Sequence, residues 1–446
     1  MDLGVKEGRF AGWGRHPVLP GRMVRPERYR DLAALAGVLA RGLGRSYGDA
    51  ALRREGTLCS MVRLDRMLGF DPGSGLLVAE AGLSLAEIAA QFLPRGWFLP
   101  VTPGTKFVTL GGAVAADVHG KNHHLDGCIS AHVPWIELFT PARGLCRCGP
   151  DQDPDLFWAT VGGLGLTGVI GTVALRLRPV PGPWLEVVHR PARDLDQILE
   201  RLADPGSDAP YSVAWIDCLA RGARLGRSVL MLGRHAEGQG EPAPPFPRAP
   251  RFALPIDLPS LCLGPLSVRV FNALYYRLNA GKTRPFRSAL DPFFYPLDAI
   301  GHWNRAYGSR GFVQYQCVLP EPAAREGMRA ILEAVSAAGA ASFLAVLKKM
   351  GGEGRGPLSF PMAGYTLALD MPFRGQGTLE LLGRLNRLVL AGGGRVNLCK
   401  DAHLDPESFR AMYPRLEAWL KVKGQVDPQG LIASSLSNRL GLTEGA

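Results

Sequence analysis

Glycines gather at three places in the N-terminal part of this chain, and each place lets the backbone approach something bulky. The central stretch, Pro100 to Gly127, reads P-V-T-P-G-T-K-F-V-T-L-G-G-A-V-A-A-D-V-H-G-K-N-H-H-L-D-G. Gly104, Gly111, Gly112 and Gly120 have no side chain and reach positive φ freely, so N–H groups there can close on an anion. Ala113, Val114, Ala115 and Ala116 follow the paired glycines, small residues suited to opening a tightly packed helix whose N-terminal N–H groups and dipole favour phosphate. His119, Lys121, Asn122, His123 and His124 then crowd cations and donors together. Upstream, Arg41 to Asp49 carries Gly42, Gly44 and Gly48, again fit for close approach to a pyrophosphate. It is not the G-x-G-x-x-G dinucleotide fingerprint, because the third glycine comes one place late and Asp49 follows instead of a helix-forming run. Downstream, Gly162, Gly163, Gly165 and Gly168 form the third such site.

At 446 residues the chain exceeds a single core, since cores stop growing near roughly 250–300 residues, and two or three lobes are expected. With 46% apolar and 20% charged residues it reads as globular rather than disordered or fibrous. It holds no apolar run of about 18 residues. The N-terminus lacks an apolar stretch and carries acids early, which predicts a cytoplasmic protein. The cysteines are scattered apart from Cys146 and Cys148, whose C-x-C spacing has no companion pair, so they read as free thiols and no metal site is expected. Net charge is +11, and only nine of the 51 basic residues are lysine. Such an arginine excess suits an anionic ligand or peripheral contact with the inner membrane surface, and equally a habit spread over solvated faces. No basic run is interleaved with aromatics, so nucleic acid is not an expected partner.

The texture along the chain is α+β. A helical pattern from Asp31 stops near Gly37, and strands are expected at Val38 to Ala40, at 58–65, at 76–81 and from Trp97 to Val101. A helix is expected from Leu83 to Phe92, a strand from Trp135 to Thr140 and a helix from Asp155. From Val169 to Leu177 apolar residues alternate with more polar ones, the pattern of a half-buried strand. Pro179 to Pro183, P-V-P-G-P, marks a domain boundary. Beyond it, strands are expected at Leu185 to His189, Tyr211 to Cys218, Ser228 to Gly233, Phe312 to Val318, Ser342 to Leu347 and Tyr365 to Met371. Helices are expected at Leu195 to Leu202, Ala323 to Ala338 and Leu379 to Leu390. Glu237 to Pro259 is proline-rich and basic, in the manner of a lid. A helix from Ser408 to Lys421 and a V-D-P-Q-G-L segment close the chain.

The glycine-rich segments and V-D-P-Q-G-L together resemble the flavoprotein superfamily of vanillyl-alcohol oxidase and p-cresol methylhydroxylase (PCMH). Within it the chain is similar to the decaprenylphosphoryl-β-D-ribose 2′-oxidase family over most of its length. The matching segments are G-L-G-R-S-Y-G-D (42–49), V-T-P-G-T (101–105), G-G-A-V-A-A-D-V-H-G-K-N-H-H (111–124), L-F-W-A-T-V-G-G-L-G-L-T-G (156–168), Y-S-V-A-W-I-D (211–217), F-Y-P-L-D (294–298), W-N-R-A-Y-G (303–308), F-V-Q-Y-Q (312–316), P-L-S-F-P (357–361) and A-M-Y-P-R (411–415). The resemblance implies a PCMH-type FAD-binding domain of two α+β subdomains at 1–180. A substrate-binding domain on an antiparallel sheet flanked by helices would span 181–403, and 404–446 would complete the FAD domain.

It also implies roles. Gly42, Gly44, Arg45, Ser46 and Gly48 would line the FAD pyrophosphate with Gly104, Thr105, Thr109, Gly112 and Ala115. His119, Gly120 and Asn122 would lie beside the isoalloxazine, with Val169 or Ile170 packed on the cofactor. Tyr295, Gln314, Gln316, Lys348 and Lys400 would meet substrate, with Lys400 and His119 as the catalytic pair. Oxidising a secondary alcohol needs a base or an alkoxide-stabilising cation near the carbinol, and Lys400 can be either; a salt bridge to Asp401 is its alternative role. The family's histidine attachment point corresponds to Arg45, which stays protonated and cannot be a nucleophile, so FAD is expected to be non-covalent. The implied partners are a phospho-sugar or polyprenylphosphoryl-sugar substrate and a short-chain reductase. Two positions depart from the family's drug-sensitive members, Ala368 in place of cysteine and Asn397 in place of tyrosine. An alditol or sugar-lactone oxidase and a non-catalytic flavin scaffold are the alternative readings.

Overall fold

The computed structural model describes residues 4–204, 209–237, 245–259, 263–340 and 343–443. Its first lobe holds two larger sheets and a two-stranded ribbon of Trp97–Phe98 with Arg178–Pro179. Lys6–Ala11, Val18–Val24, Thr57–Ser60 and Leu39–Arg41 form a four-stranded sheet in that spatial order, antiparallel at its first pair and parallel thereafter. Met67–Asp71, Leu76–Glu80, Val169–Arg176, Trp135–Thr140 and Gly144–Cys148 form a five-stranded antiparallel sheet. Val169–Arg176 is central in it and buried from Val169 to Leu175, so the expected half-buried strand is buried on both faces. The helix Leu110–Ala115 and the short 3-10 helix Tyr29–Leu35 both pack on it. Leu85–Phe92 starts where expected because Ser84 and Glu87 form a capping box: the Glu87 N–H donates to Ser84 Oγ at 3.1 Å and the Ser84 N–H to Glu87 Oε2 at 3.4 Å.

The second lobe is built on an eight-stranded antiparallel sheet, with a short parallel pair of Phe252–Ala253 and Ile300–Gly301 beside it. The spatial order of the eight strands is Phe286–Ala289, Trp184–Ala192, Ser228–His235, Tyr211–Ile216, Ala345–Met350, Gly364–Pro372, Phe312–Leu319 and Arg395–Val396. Helices Leu195–Ala203, Glu321–Ala337 and Gln376–Ala391 match the expected periodic segments within a few residues and bury their apolar faces. Ser342, the start of one expected strand, and residues 238–244 of the expected lid lie outside the described residues. The helix Pro265–Ala280 was not anticipated from the sequence.

The expected helix Ser408 to Lys421 is two helices, Pro406–Met412 and Leu416–Val426. Pro414 divides them: a residue before proline is pushed out of the α region, and Tyr413 sits at φ −123° and ψ 72°. The second helix docks on the first lobe. Trp419 Nε1 donates to Ala159 O at 2.9 Å, and Lys423 Nζ donates to Leu166 O at 2.7 Å and Ile432 O at 2.9 Å. Arg439 reaches Asp49 at 2.7 Å and Asp401 at 2.9 Å.

Gly48 is where these strands of chain meet most closely. A Cβ there would lie 1.6 Å from the carbonyl oxygen of Asp401, so only glycine lets the N-terminal loop touch the end of the second lobe. Gly48→Ala should cost roughly 1–3 kcal/mol or more by overpacking, read as a lowered thermal midpoint. Gly69→Ala, whose added Cβ meets nothing within 4 Å, should leave the midpoint unchanged.

Candidate active site

A cavity of about 560 Å³ runs between the lobes. Glycine-bearing loops of the first lobe form one end. Gly42, Gly44, Arg45, Ser46, Gly104, Thr105, Thr109, Gly112, Ala115, His119, Gly120 and Ile170 all line it, joined by Gln314, Gln316, Lys348 and Lys400 from the second lobe. Gly48, Asn122, Val169 and Tyr295 do not. Gly48 is buried against Asp401. Asn122 donates to Pro100 O at 2.8 Å and to Asp126 Oδ2 at 2.6 Å, bracing the loop. Val169 packs with Leu32 and Phe139 beneath the sheet. Tyr295 is wholly buried with its hydroxyl 2.6 Å from Thr102 Oγ1, a strut between lobes.

The helix expected to offer phosphate its N-terminus is six residues long and offers little. The N–H groups of Leu110, Gly111 and Gly112 are bonded to Leu83 O, Ala81 O and Thr109 Oγ1. The loops instead carry the anion-seeking groups. Among the described residues, the N–H groups of Gly44, Arg45, Ser46, Gly104 and Thr105 make no hydrogen bond within the protein. Gly44 has φ +67°, and a Cβ on Gly104 would meet nothing within 4 Å, so backbone itself borders the cavity. Arg45 lies 3.6 Å over the Trp13 ring, donates from Nε to Phe107 O at 3.1 Å and lines the cavity. Successive N–H groups with a guanidinium make a concave cradle for a diphosphate, and the residues present fit FAD at this end. Of the third glycine segment only Gly165 and Gly168 reach the cavity. Gly162 and Gly163 serve packing, since Cβ atoms there would strike Ser359 and Ala159.

The other end is cationic. Lys400 does not bridge to Asp401, whose carboxylate is taken by Arg439 and by the N–H groups of His403 and Leu404. Its ammonium sits 5.8 Å over the Tyr47 ring. Burial pulls the Lys400 pKa down to about 8, with Asp370 opposing, and that of Lys121 down to about 8. Burial, with Lys400 and Lys121 nearby, brings Lys348 to about 7. Burial and Lys348 hold His119 well below the usual histidine range. Gln316 fixes its role: Nε2 donates to His119 Nε2 at 3.1 Å and to Thr366 Oγ1 at 3.0 Å, while Oε1 accepts from Asn397 Nδ2 at 3.0 Å. His119 Nε2 is thus the acceptor of the Gln316 amide, which ties the first lobe to the second at this point. Sequence reasoning gave Lys121 no role of its own and passed over Asp370. Lys121 stood in plain view beside His119, but only burial marks it. Asp370 accepts from Gln314 at 2.5 Å, and burial raises its carboxyl to about 7.

A family model described as an FAD binding domain matches residues 30–149. The decaprenylphosphoryl-β-D-ribose oxidase of Mycolicibacterium smegmatis is 38% identical over 97% of this chain and 97% of its own. An uncharacterized protein of Streptomyces coelicolor is 37% identical over 81% of this chain and all of its own. The L-gulonolactone oxidase of Bos taurus is 29% identical over 40% of this chain and 42% of its own. The α+β fold, the phosphate cradle and these likenesses make the chain an FAD-dependent oxidoreductase. More narrowly, it belongs to the decaprenylphosphoryl-β-D-ribose oxidase family.

The depressed lysine makes a signed prediction. Below pH about 7 Lys348 is charged in both folded and unfolded states, so the penalty of a buried charge is fully present. Between there and its unfolded value of 10.5 the unfolded state binds more protons, and stability from this group rises with pH. Lys348→Met should therefore melt above the wild type at pH 6, with the gap closing toward pH 10.

Proposed function

We propose that the chain oxidises the 2′-hydroxyl of a polyprenylphosphoryl-β-D-ribose, the first half of an epimerisation to arabinose. The observation that carries this reading is the cluster of Lys121, Lys348 and Lys400 around the cavity's second end, where a phosphodiester beside the sugar needs cations. FAD bound in the glycine cradle would accept the hydride leaving the carbinol carbon. The hydroxyl proton must leave at the same time. Lys400, mostly protonated at neutral pH, stabilises the developing alkoxide, and Lys348, titrating near neutrality, can take the proton. Gln314 and Gln316 orient the sugar. Gly44, Arg45, Ser46, Gly104 and Thr105 hold the pyrophosphate, and Gly42, Thr109, Gly112, Ala115, Gly120 and Ile170 line the cofactor's length. Residues 1–180 with 404–446 form the cofactor unit in this reading, and 181–403 the substrate unit. A short-chain reductase partner would return a hydride to the opposite face, and the enzyme would work at the cytoplasmic surface of the inner membrane. Anaerobic titration of the yellow protein with polyprenylphosphoryl ribose should bleach the flavin absorbance. Bleaching by free alditols or sugar lactones instead would overturn the substrate.

Two variants and one extraction test the roles. Lys400→Ala should stay yellow and lose turnover by about a hundredfold or more; normal turnover would remove Lys400 from the chemistry. With Arg45 at the attachment position, acid precipitation should release all the yellow colour into the supernatant. Colour held in the washed pellet would show a covalent link.

A further inference from the structure

Helix Pro265–Ala280 is amphipathic the wrong way round. Its inward face carries Asn272, wholly buried and donating to Asp217 Oδ1 at 2.8 Å, and Tyr275, packed on Trp215 at 4.6 Å between ring centroids. Tyr275 and Asn279 on that side wall the cavity. Leu266, Val270, Leu274 and Leu278, spaced every four residues and so aligned along one stripe, point outward with exposures of 75%, 53%, 55% and 71%. A stripe of large apolar side chains in water is unfavourable by the area it leaves wet, and contiguous exposed patches of this kind mark interaction surfaces.

The charge carried by the helix and by the chain on either side of it selects its occupant. From residue 245 to 289 the chain has seven basic residues, Arg269 and Arg277 on the helix itself among them, and one acid. That acid, Asp257, is paired with Arg15. Two copies of this face would bring like charges together, whereas an anionic bilayer satisfies both the leucines and the arginines. Among the described residues no helix is long and apolar enough to cross a membrane, so this helix would lie in the interface.

We infer that the outward stripe of Pro265–Ala280 docks the enzyme on anionic lipid bilayers, which sets the cavity wall formed by the same helix against the membrane. The inference rests on the polyprenyl-phosphate reading in one respect: an apolar tail then stays in the bilayer while the phosphoribose enters between Tyr275 and the lysines.

The test uses the full-length holoenzyme and vesicles of phosphatidylcholine with or without phosphatidylglycerol. The wild type should sediment with the anionic vesicles, less so as salt rises. The Leu274→Glu/Leu278→Glu double variant should lose vesicle partitioning by roughly a hundredfold or more, with unchanged flavin content and unchanged turnover of a short-chain, water-soluble polyprenylphosphoryl ribose. Arg277→Glu should weaken binding to anionic vesicles only. Failure of the wild type to bind, equal binding by the double variant, or a wild-type dimer that the double variant makes monomeric would each overturn the docking surface. Vesicle binding without oxidation of either the short-chain or the vesicle-borne substrate would overturn the substrate reading and leave the surface standing.

Discussion

Arg439 ties three remote parts of the chain at one point. Its guanidinium bonds Asp49 at the end of the first glycine loop, and Asp401 and Leu404 O where the second lobe returns. Because Gly48 has no side chain, the loop and the Asp401 carbonyl can meet there, and the Tyr47 N–H donates to Cys399 O at 3.0 Å alongside. Lys400 lies between Cys399 and Asp401, so this junction sets where its ammonium enters the cavity. The same carboxylate that might have neutralised Lys400 is drawn away by Arg439. That Lys400 is not paired with its neighbour Asp401 is thus a consequence of how the C-terminal helix is anchored.

Three half-buried lysines in one cavity are unfavourable for the fold, since each charge loses water and repels the others. Their depressed pKa values express that cost. An anionic group bound there relieves it, which links ligand affinity to stability in one electrostatic term. His119 shows the complementary strategy. Denied a proton by burial and by Lys348, it serves as an acceptor for Gln316, and Gln316 in turn holds Asn397 and Thr366. The chain Asn397–Gln316–His119 crosses from one lobe to the other and fixes the cavity floor with neutral groups, leaving charge to the lysines.

Much of the architecture was legible because local chemistry decided it. The capping box at Ser84, the apolar face of Leu195–Ala203 and the strand Trp135–Thr140 follow from patterns within a dozen residues. The misreadings share a cause. Val169–Arg176 looked half-buried because Val169, Gly171, Val173 and Leu175 alternate with more polar neighbours, yet residues on both faces cover it. The helix Pro265–Ala280 gives no ordinary core signal, because its polar Asn272 turns inward and its leucines outward. Pro414 was visible in the sequence, and its effect on Tyr413 splits a segment that periodicity alone reads as one helix.

The sequence by itself marked the loops around Gly44 and Gly104 as places where backbone can approach an anion, because glycine puts no side chain in the way, and likeness to a family set Arg45 where a nucleophilic ring nitrogen would be needed for attachment. It also named Lys400 and the two glutamines through their likeness to a family. What only the tertiary structure decided is how those groups are charged and partnered. Whether Lys400 pairs with Asp401 depends on Arg439, 38 residues away in sequence. Whether the helix around Gly112 offers its N–H groups depends on Leu83 and Ala81, which take them first. Whether His119 holds a proton depends on burial and on Lys348 from the other lobe. Residue type and spacing fix what a group can do. Desolvation and competing partners, which are properties of the packed chain, decide which of those things it does.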